Sequence, residues 1–160
     1  MRVRAATAAD RAWIAALLES FGWDVVALRG ELFRALDHPM LVAESDGGPE
    51  GLLTYILRDG ECEILTLEAL RQWAGVGSAL VAAVRALAEK QGCRRLHVVT
   101  TNDNVDALRF YQRRGLRLAT LRAGAVVESR RRLKPTIPEV GEHGIPIRDE
   151  IELEITLGTD

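Results

Sequence analysis

Gly75 and Gly77 stand one residue apart, shortly after a segment with strand character (Leu65-Thr66-Leu67) and directly before a run with helical spacing. A strand, a short turn, two glycines and a helix can together bind a phosphate. Glycine lets backbone N–H groups approach a ligand closely, and the first turn of a helix leaves those groups unpaired at the positive end of its dipole. Two other phosphate loops are excluded by what is missing. A dinucleotide fingerprint begun at Gly75 needs a third glycine at position 80, which is Leu80, and no Gly-Lys-Ser/Thr follows for a nucleoside triphosphate loop. The glycines alone would equally serve tight packing of helix on strand, so the flanking residues must decide.

The elements that would position this turn follow from periodicity and punctuation. Val3 to Thr7 reads as a short strand, with Thr7 and Asp10 spaced as a capping box for a helix through Trp13, Ile14, Leu17 and Leu18 that stops at Gly22. A second helical run is expected from Gly30 to Leu36, before His38-Pro39. Strands are expected over Met40 to Glu44, Gly51 to Arg58 and Glu61 to Leu67, joined by the Asp46 to Pro49 turn and by Asp59-Gly60. Ser78 to Lys90 is helical with Gly92 beyond its end, Leu96 to Thr101 is a buried strand, and Asn104 to Arg114 is a helix stopped by Gly115. Leu116 to Leu121 resumes as strand and Ala123 to Leu133 as helix. A loop over 134–147 holds three of the five prolines, and a strand over 148–157 alternates Ile151, Leu153, Ile155 and Leu157 with Glu152, Glu154 and Thr156. The order predicts an α+β sandwich with a mixed sheet.

Composition bounds the rest. Across 160 residues, 21 Lys and Arg oppose 23 Asp and Glu for a net charge of −2, and 48% of residues are hydrophobic. That is too apolar for a disordered chain and enough for one core, so 1–160 is expected to be a single domain. The near-neutral balance removes the global electrostatic case for nucleic acid or an anionic membrane. No apolar stretch reaches the roughly 20 residues of a membrane span, and the first residues lack a signal peptide's apolar core, so a cytoplasmic location is expected. Cys62 and Cys93 are far apart with no histidine at ligand spacing, and are expected to be small buried residues; no metal is expected.

Gln72-Trp73-Ala74-Gly75-Val76-Gly77 resembles the Q/R-x-x-G-x-G/A signature of the GNAT superfamily of acetyl-CoA-dependent N-acetyltransferases. Downstream, Asn102-Asp103-Asn104-Val105-Asp106-Ala107-Leu108-Arg109-Phe110-Tyr111-Gln112-Arg113-Arg114-Gly115-Leu116 is similar to its second signature, N-x-x-A-x-x-F-Y-x-x-x-G-F, departing only at Leu116. Two signatures in the expected order are far more specific than either alone. The resemblance covers about residues 1 to 121 and implies a GNAT-like, mostly antiparallel central sheet with splayed strands, flanked by helices. It implies acetyl-CoA as cofactor, with pantetheine pairing to the backbone around Leu67 and diphosphate on the amides from Trp73 to Ser78. Gln72, Trp73, Ala74, Gly75, Val76, Gly77, Ser78, Asn104 and Tyr111 are thus the cofactor-binding candidates. Trp73 and Ala74 depart from the polar residues that many relatives carry there, and Trp73 would equally anchor the loop.

Acetyl transfer to an amine needs a neutral nucleophile and a proton for the departing thiolate. Tyr111 matches the superfamily's tyrosine for the second task, since a phenol with a reference pKa near 10 is protonated at neutral pH; core packing is its alternative role. For the base the candidates are Glu68, which interrupts an apolar run near the implied acetyl position, then Glu63, with water also open. Glu61 and Glu63 share a face and would equally form a solvated edge pair. Asn104 also suits a helix N-cap. The resemblance places the acceptor, a primary amine of a small molecule or protein, among Phe21, Trp23, Arg29 and the 134–150 segment, with Asn102 added, while Asn102 and Asp103 would equally shape the loop. The 134–147 loop suits a lid, a dimer arm or a rigid connection. Arg130, Arg131, Arg132 and Lys134 suit an acidic substrate or a phosphate or, better, a solvated helix face or salt-bridge partners for Glu150, Glu152 and Glu154. A homodimer is a further expectation. A non-catalytic acyl-CoA-binding module is the alternative function.

Overall fold

Asp10 organises the start of the chain in the computed structural model, which describes residues 1–72 and 74–158. Its carboxylate accepts hydrogen bonds from the Thr7 amide at 2.8 Å and the Trp13 indole at 3.0 Å, and binds the Arg4 guanidinium through both oxygens at 2.7 and 2.9 Å. The capping box forms as the sequence predicts. A 3-10 turn, Ala8–Asp10, then leads into α1 (Arg11–Phe21), which ends at Gly22 in the left-handed conformation, φ 71°.

The described chain divides into two compact units. Among the described residues, the first comprises 1–25, 34–96 and 156–158. In it β1 (Arg2–Ala5), β4 (Met40–Ser45), β5 (Gly48–Arg58) and β6 (Glu61–Ala69) pair antiparallel in that order. Asp59 and Gly60, both at positive φ, close the β5–β6 hairpin as the sequence predicts. On this sheet lies α2 (Val76–Lys90), burying Val76, Leu80, Val81, Val84 and Ala88 at its helical period. Gly92, φ 76°, ends it: the Gly92 and Cys93 amides bond back to Glu89 and Ala88. Cys62 and Cys93 are buried, and burial pushes the Cys62 thiol up to about 12, so it is a packing residue rather than a nucleophile.

The second unit comprises 26–33 and 97–155. The helix expected over Gly30 to Leu36 is absent. Gly30 instead lies in the turn of a hairpin between β2 (Val25–Leu28) and β3 (Glu31–Arg34), and β3 is followed by a single 3-10 turn, Ala35–Asp37. Arg29 and Gly30 adopt φ 51° and 75°, the pair of left-handed residues that a two-residue hairpin turn requires and a helix forbids. The rest of this unit contains β7 (Arg95–Thr101) from His97 on, α3 (Val105–Arg113), β8 (Arg117–Arg122), α4 (Ala125–Arg132) and β9 (Glu150–Thr156) through Ile155. β9 lies between β7 and β8 and runs antiparallel to β8.

On β9 acidic positions are covered as well as apolar ones: Leu153 is buried, and Glu150 and Glu152 are only 2% and 6% exposed. The 134–147 loop is a held connection. Arg130 donates to the carbonyls of Ile137, Pro138 and Ile147, and the Asp103 carboxylate accepts the Glu142 amide at 3.0 Å. A side chain at Gly141 would overlap that carboxylate. No helix of the described residues is long and apolar enough to cross a membrane. The architecture is the α+β arrangement of mostly antiparallel strands with helices that the sequence predicts.

Candidate functional site

β5 is regular where β6 is not. Thr54 faces Thr66 but the next residue, Tyr55, faces Ile64, so Leu65 is an extra residue in β6. Residues directly opposite in an antiparallel pair share a face. Arg58, Ile56, Thr54 and Leu52 alternate regularly along β5, and their partners are Glu61, Glu63, Thr66 and Glu68. The bulge therefore sets all three glutamates on one face, and Thr66 donates its hydroxyl to Thr54 across that face at 2.8 Å.

The other face carries α2. A Cβ on Gly51 would overlap Val76 Cγ1 and lie 2.9 Å from the Glu68 carbonyl oxygen and 3.0 Å from Leu80 Cδ1. The missing side chain lets the first turn of α2 settle onto β5 and β6. Gly51 was not singled out from the sequence, although a glycine inside a strand is a signal for close approach of another chain segment.

The turn between β6 and α2 is held by Glu50, whose carbonyl accepts the Leu70 amide at 2.8 Å and whose carboxylate binds Arg71 at 3.1 Å. Gln72, Ala74 and Gly75 are exposed; Trp73 lies outside the described residues. Helix α2 begins at Val76, two residues earlier than its predicted start at Ser78, because Gly75 serves as N-cap at φ 77°. The first intrahelical bond of α2 is from the Ala79 amide to the Gly75 carbonyl at 3.0 Å. Val76 and Gly77 thus precede it, in the turn whose amides face out along the axis. A Cβ built on Gly75 would meet nothing within 4 Å among the described residues beyond its chain neighbours.

Glu68 belongs to β6 rather than lying beyond it, and burial pushes its carboxyl up to about 7. Glu63 is 3% exposed, which removes the solvated edge pair. Glu61 instead binds Arg94 at 2.8 Å and Arg95 at 2.9 Å. Trp23 is half-buried near Phe21, ring centroids 6.0 Å apart, and its amide closes the end of α1 on Leu18.

In the second unit Asn104 is the N-cap of α3, its side chain accepting the Ala107 amide at 3.1 Å. One face of α3 buries Tyr111 to 5% exposure, edge-on to Phe110, whose ring also carries the Arg114 guanidinium. Asn102 bonds to the end of the 134–147 loop and the residues after it. Its carboxamide oxygen accepts the Arg148 and Asp149 amides and its nitrogen donates to Pro146, so it ties down the end of the loop, the other role the sequence offered. Arg29 sits at the tip of the β2–β3 hairpin with its amide on Glu150. Arg131 and Arg132 pair with Glu128 one turn away, Arg130 holds the loop, and Arg122 binds Glu150 and Glu152.

The site residues thus fall into two sets. Glu63, Leu67, Glu68 and Gly75 to Ser78 belong to the first unit, and Arg29, Asn102, Asn104 and Tyr111 to the second.

The pattern of the acetyltransferase (GNAT) family matches residues 7–116. The chain is 41% identical over 132 residues to the uncharacterized protein YdhI of Bacillus subtilis (strain 168), covering 82% of each. Among solved structures it is similar to an IAA acetyltransferase from Bacillus cereus, TM-score 0.73 at 22% identity, covering 98% of this chain and 100% of that one. It is also similar to a Bacillus subtilis acetyltransferase in complex with CoA, TM-score 0.73 at 16% identity, covering 98% and 99%.

Proposed function

Because the chain belongs to the acetyltransferase (GNAT) family, we propose that it moves an acetyl group from acetyl-CoA to a primary amine of a small molecule or protein, by direct attack with both substrates bound. The observation that carries this reading is the glycine-capped start of α2 seated on the bulged β6 strand through Gly51. The residues fit the cofactor: the outward-facing first turn of amides in α2 suits a diphosphate, and the exposed, left-handed Gly75 suits a close backbone approach.

In this reading the backbone at Leu67 pairs with pantetheine. The segment Gln72, Trp73, Ala74, Gly75, Val76, Gly77 and Ser78 grips the diphosphate, with Asn104 and Tyr111 as further contacts. Bound acetyl-CoA supplies an activated acetyl thioester. Glu68, with its carboxyl titrating near 7, takes the proton that the acceptor ammonium must lose, directly or through water, and Glu63 on the same face is the second candidate. Tyr111 holds a phenolic proton for the departing sulfur. Trp23 and the Arg29 hairpin wall the acceptor, while Asn102 supports the loop.

Calorimetric titration with CoA and acetyl-CoA, followed by thiol release across a panel of amines, tests the proposal. Saturable binding and amine-dependent thiol release are expected. Absence of both heat and thermal shift with either ligand would overturn it. Binding without transfer to any amine would make the chain an acyl-CoA-binding module.

A further inference from the structure

Glu150, at the head of β9, is 2% exposed and is engaged from two distant parts of the chain. From β8, Arg122 donates Nε to Glu150 at 2.9 Å and Nη2 to Glu152 at 3.1 Å, one guanidinium spanning both carboxylates. From the tip of the β2–β3 hairpin, the backbone amide of Arg29 donates to the two Glu150 oxygens at 3.1 and 3.3 Å. The Arg29 guanidinium lies 3.8 Å from Glu152.

The energetics favour a seated hairpin. A buried carboxylate is costly unless charge-paired and hydrogen-bonded, so Glu150 is fully satisfied only while the Arg29 amide is in place. The hairpin needs such a hold. Each of its strands has four residues, the two form a separate two-stranded sheet, and an isolated pair of this length is marginal in water. The turn also aims the amide: with Arg29 at φ 51° and Gly30 at φ 75°, the backbone rather than a long flexible side chain presents the donor.

We propose that Glu150 is a positioning residue, a buried latch that holds the β2–β3 hairpin through the Arg29 amide and so fixes the acceptor side of the reaction. The proposal rests on the reading of that hairpin as an acceptor wall. It separates the two parts of Arg29: the amide sets the hairpin, whatever the guanidinium does.

Hydrogen exchange and steady-state kinetics on the full chain test it together. In Glu150→Ala the Arg29 amide should exchange about tenfold or more faster while amides in α2 keep their protection. The acceptor KM should rise about tenfold, with kcat and acetyl-CoA affinity within about twofold. Glu150→Gln, which keeps an acceptor oxygen without the charge, should shift both readouts in the same direction by less, and serves if the alanine variant does not fold. Arg29→Gly keeps the amide and favours its φ, so position 29 should stay protected. Unchanged exchange at Arg29 in the Glu150 variants would overturn the latch, and faster exchange with an unchanged acceptor KM would overturn its role in the reaction. The exchange readout needs no catalysis. A protein inert toward acetyl-CoA would therefore sink the acetyl-transfer reading while the latch is still judged on the Arg29 amide.

Discussion

Glu63 and Glu68 share one face of β6 although five positions separate them, because Leu65 is an extra residue in β6 and their partners on β5, Ile56 and Leu52, are only four apart. In an unbroken strand the odd spacing would put them on opposite faces. The bulge therefore decides which carboxylates can act from the same side.

Burial that raises the Glu68 carboxyl to about 7 gives the proposed base a measurable titration. Only the carboxylate accepts a proton, so the rate should rise with pH through about 7 and level off above it. Glu68→Gln should remove that limb and lower kcat by about 100-fold or more. Retention of the limb in the variant would move the base elsewhere, with Glu63→Gln as the next measurement.

The same shift has a stability consequence of opposite sign. Because the folded-state value lies above the ordinary carboxyl value of 4.5, the native chain holds the proton more tightly than the unfolded one between those limits. Stability therefore falls as pH rises from about 4.5 to about 7. Glu68→Gln should be the more stable protein above pH 7 in urea unfolding, and a lower midpoint than wild type there would contradict the assigned cause.

Gly51→Ala adds one methyl where Val76 already sits. Overpacking of this kind costs about 1–3 kcal/mol, and here the strain falls on the first turn of α2. Both the melting temperature and CoA affinity should drop. A loss of stability with wild-type CoA affinity would separate the helix start from the diphosphate.

Tyr111→Phe keeps the buried ring and removes the hydroxyl. Turnover should fall by about 100-fold with acetyl-CoA affinity largely kept, the pattern of an interaction made in the transition state. Unchanged turnover would leave Tyr111 with its packing role on α3 alone.

Asp10 is held well below the usual carboxyl range, first by the Arg4 guanidinium and then by the Thr7 amide, with the Trp13 indole adding to them. A depressed carboxyl contributes stability that is present above its unfolded value of about 3.8 and lost as pH falls through the folded one. Asp10→Asn should destabilise the protein at neutral pH and flatten its acid unfolding at the low end, followed by circular dichroism. An unchanged acid profile would assign the pairing no role in folding.

What the sequence determined by itself was local. The positive-φ glycines that end α1 and α2 depend on a few adjacent residues, as do the Thr7–Asp10 box and the helical period of α2. The two signature segments carried the family for the same reason. Tertiary structure decided what depends on partners far along the chain. The register of β6 against β5 chose the face of Glu68, and the seat of α2 gave Gly51 its purpose. Pairing with Arg122 and the Arg29 amide let Glu150 be buried where alternation alone pointed it toward water. The Arg29-Gly30 pair turned an expected helix into a hairpin, since short apolar runs fit either period until backbone conformation and pairing choose between them. Burial and register are sums over contacts between distant segments, and only the folded chain evaluates them.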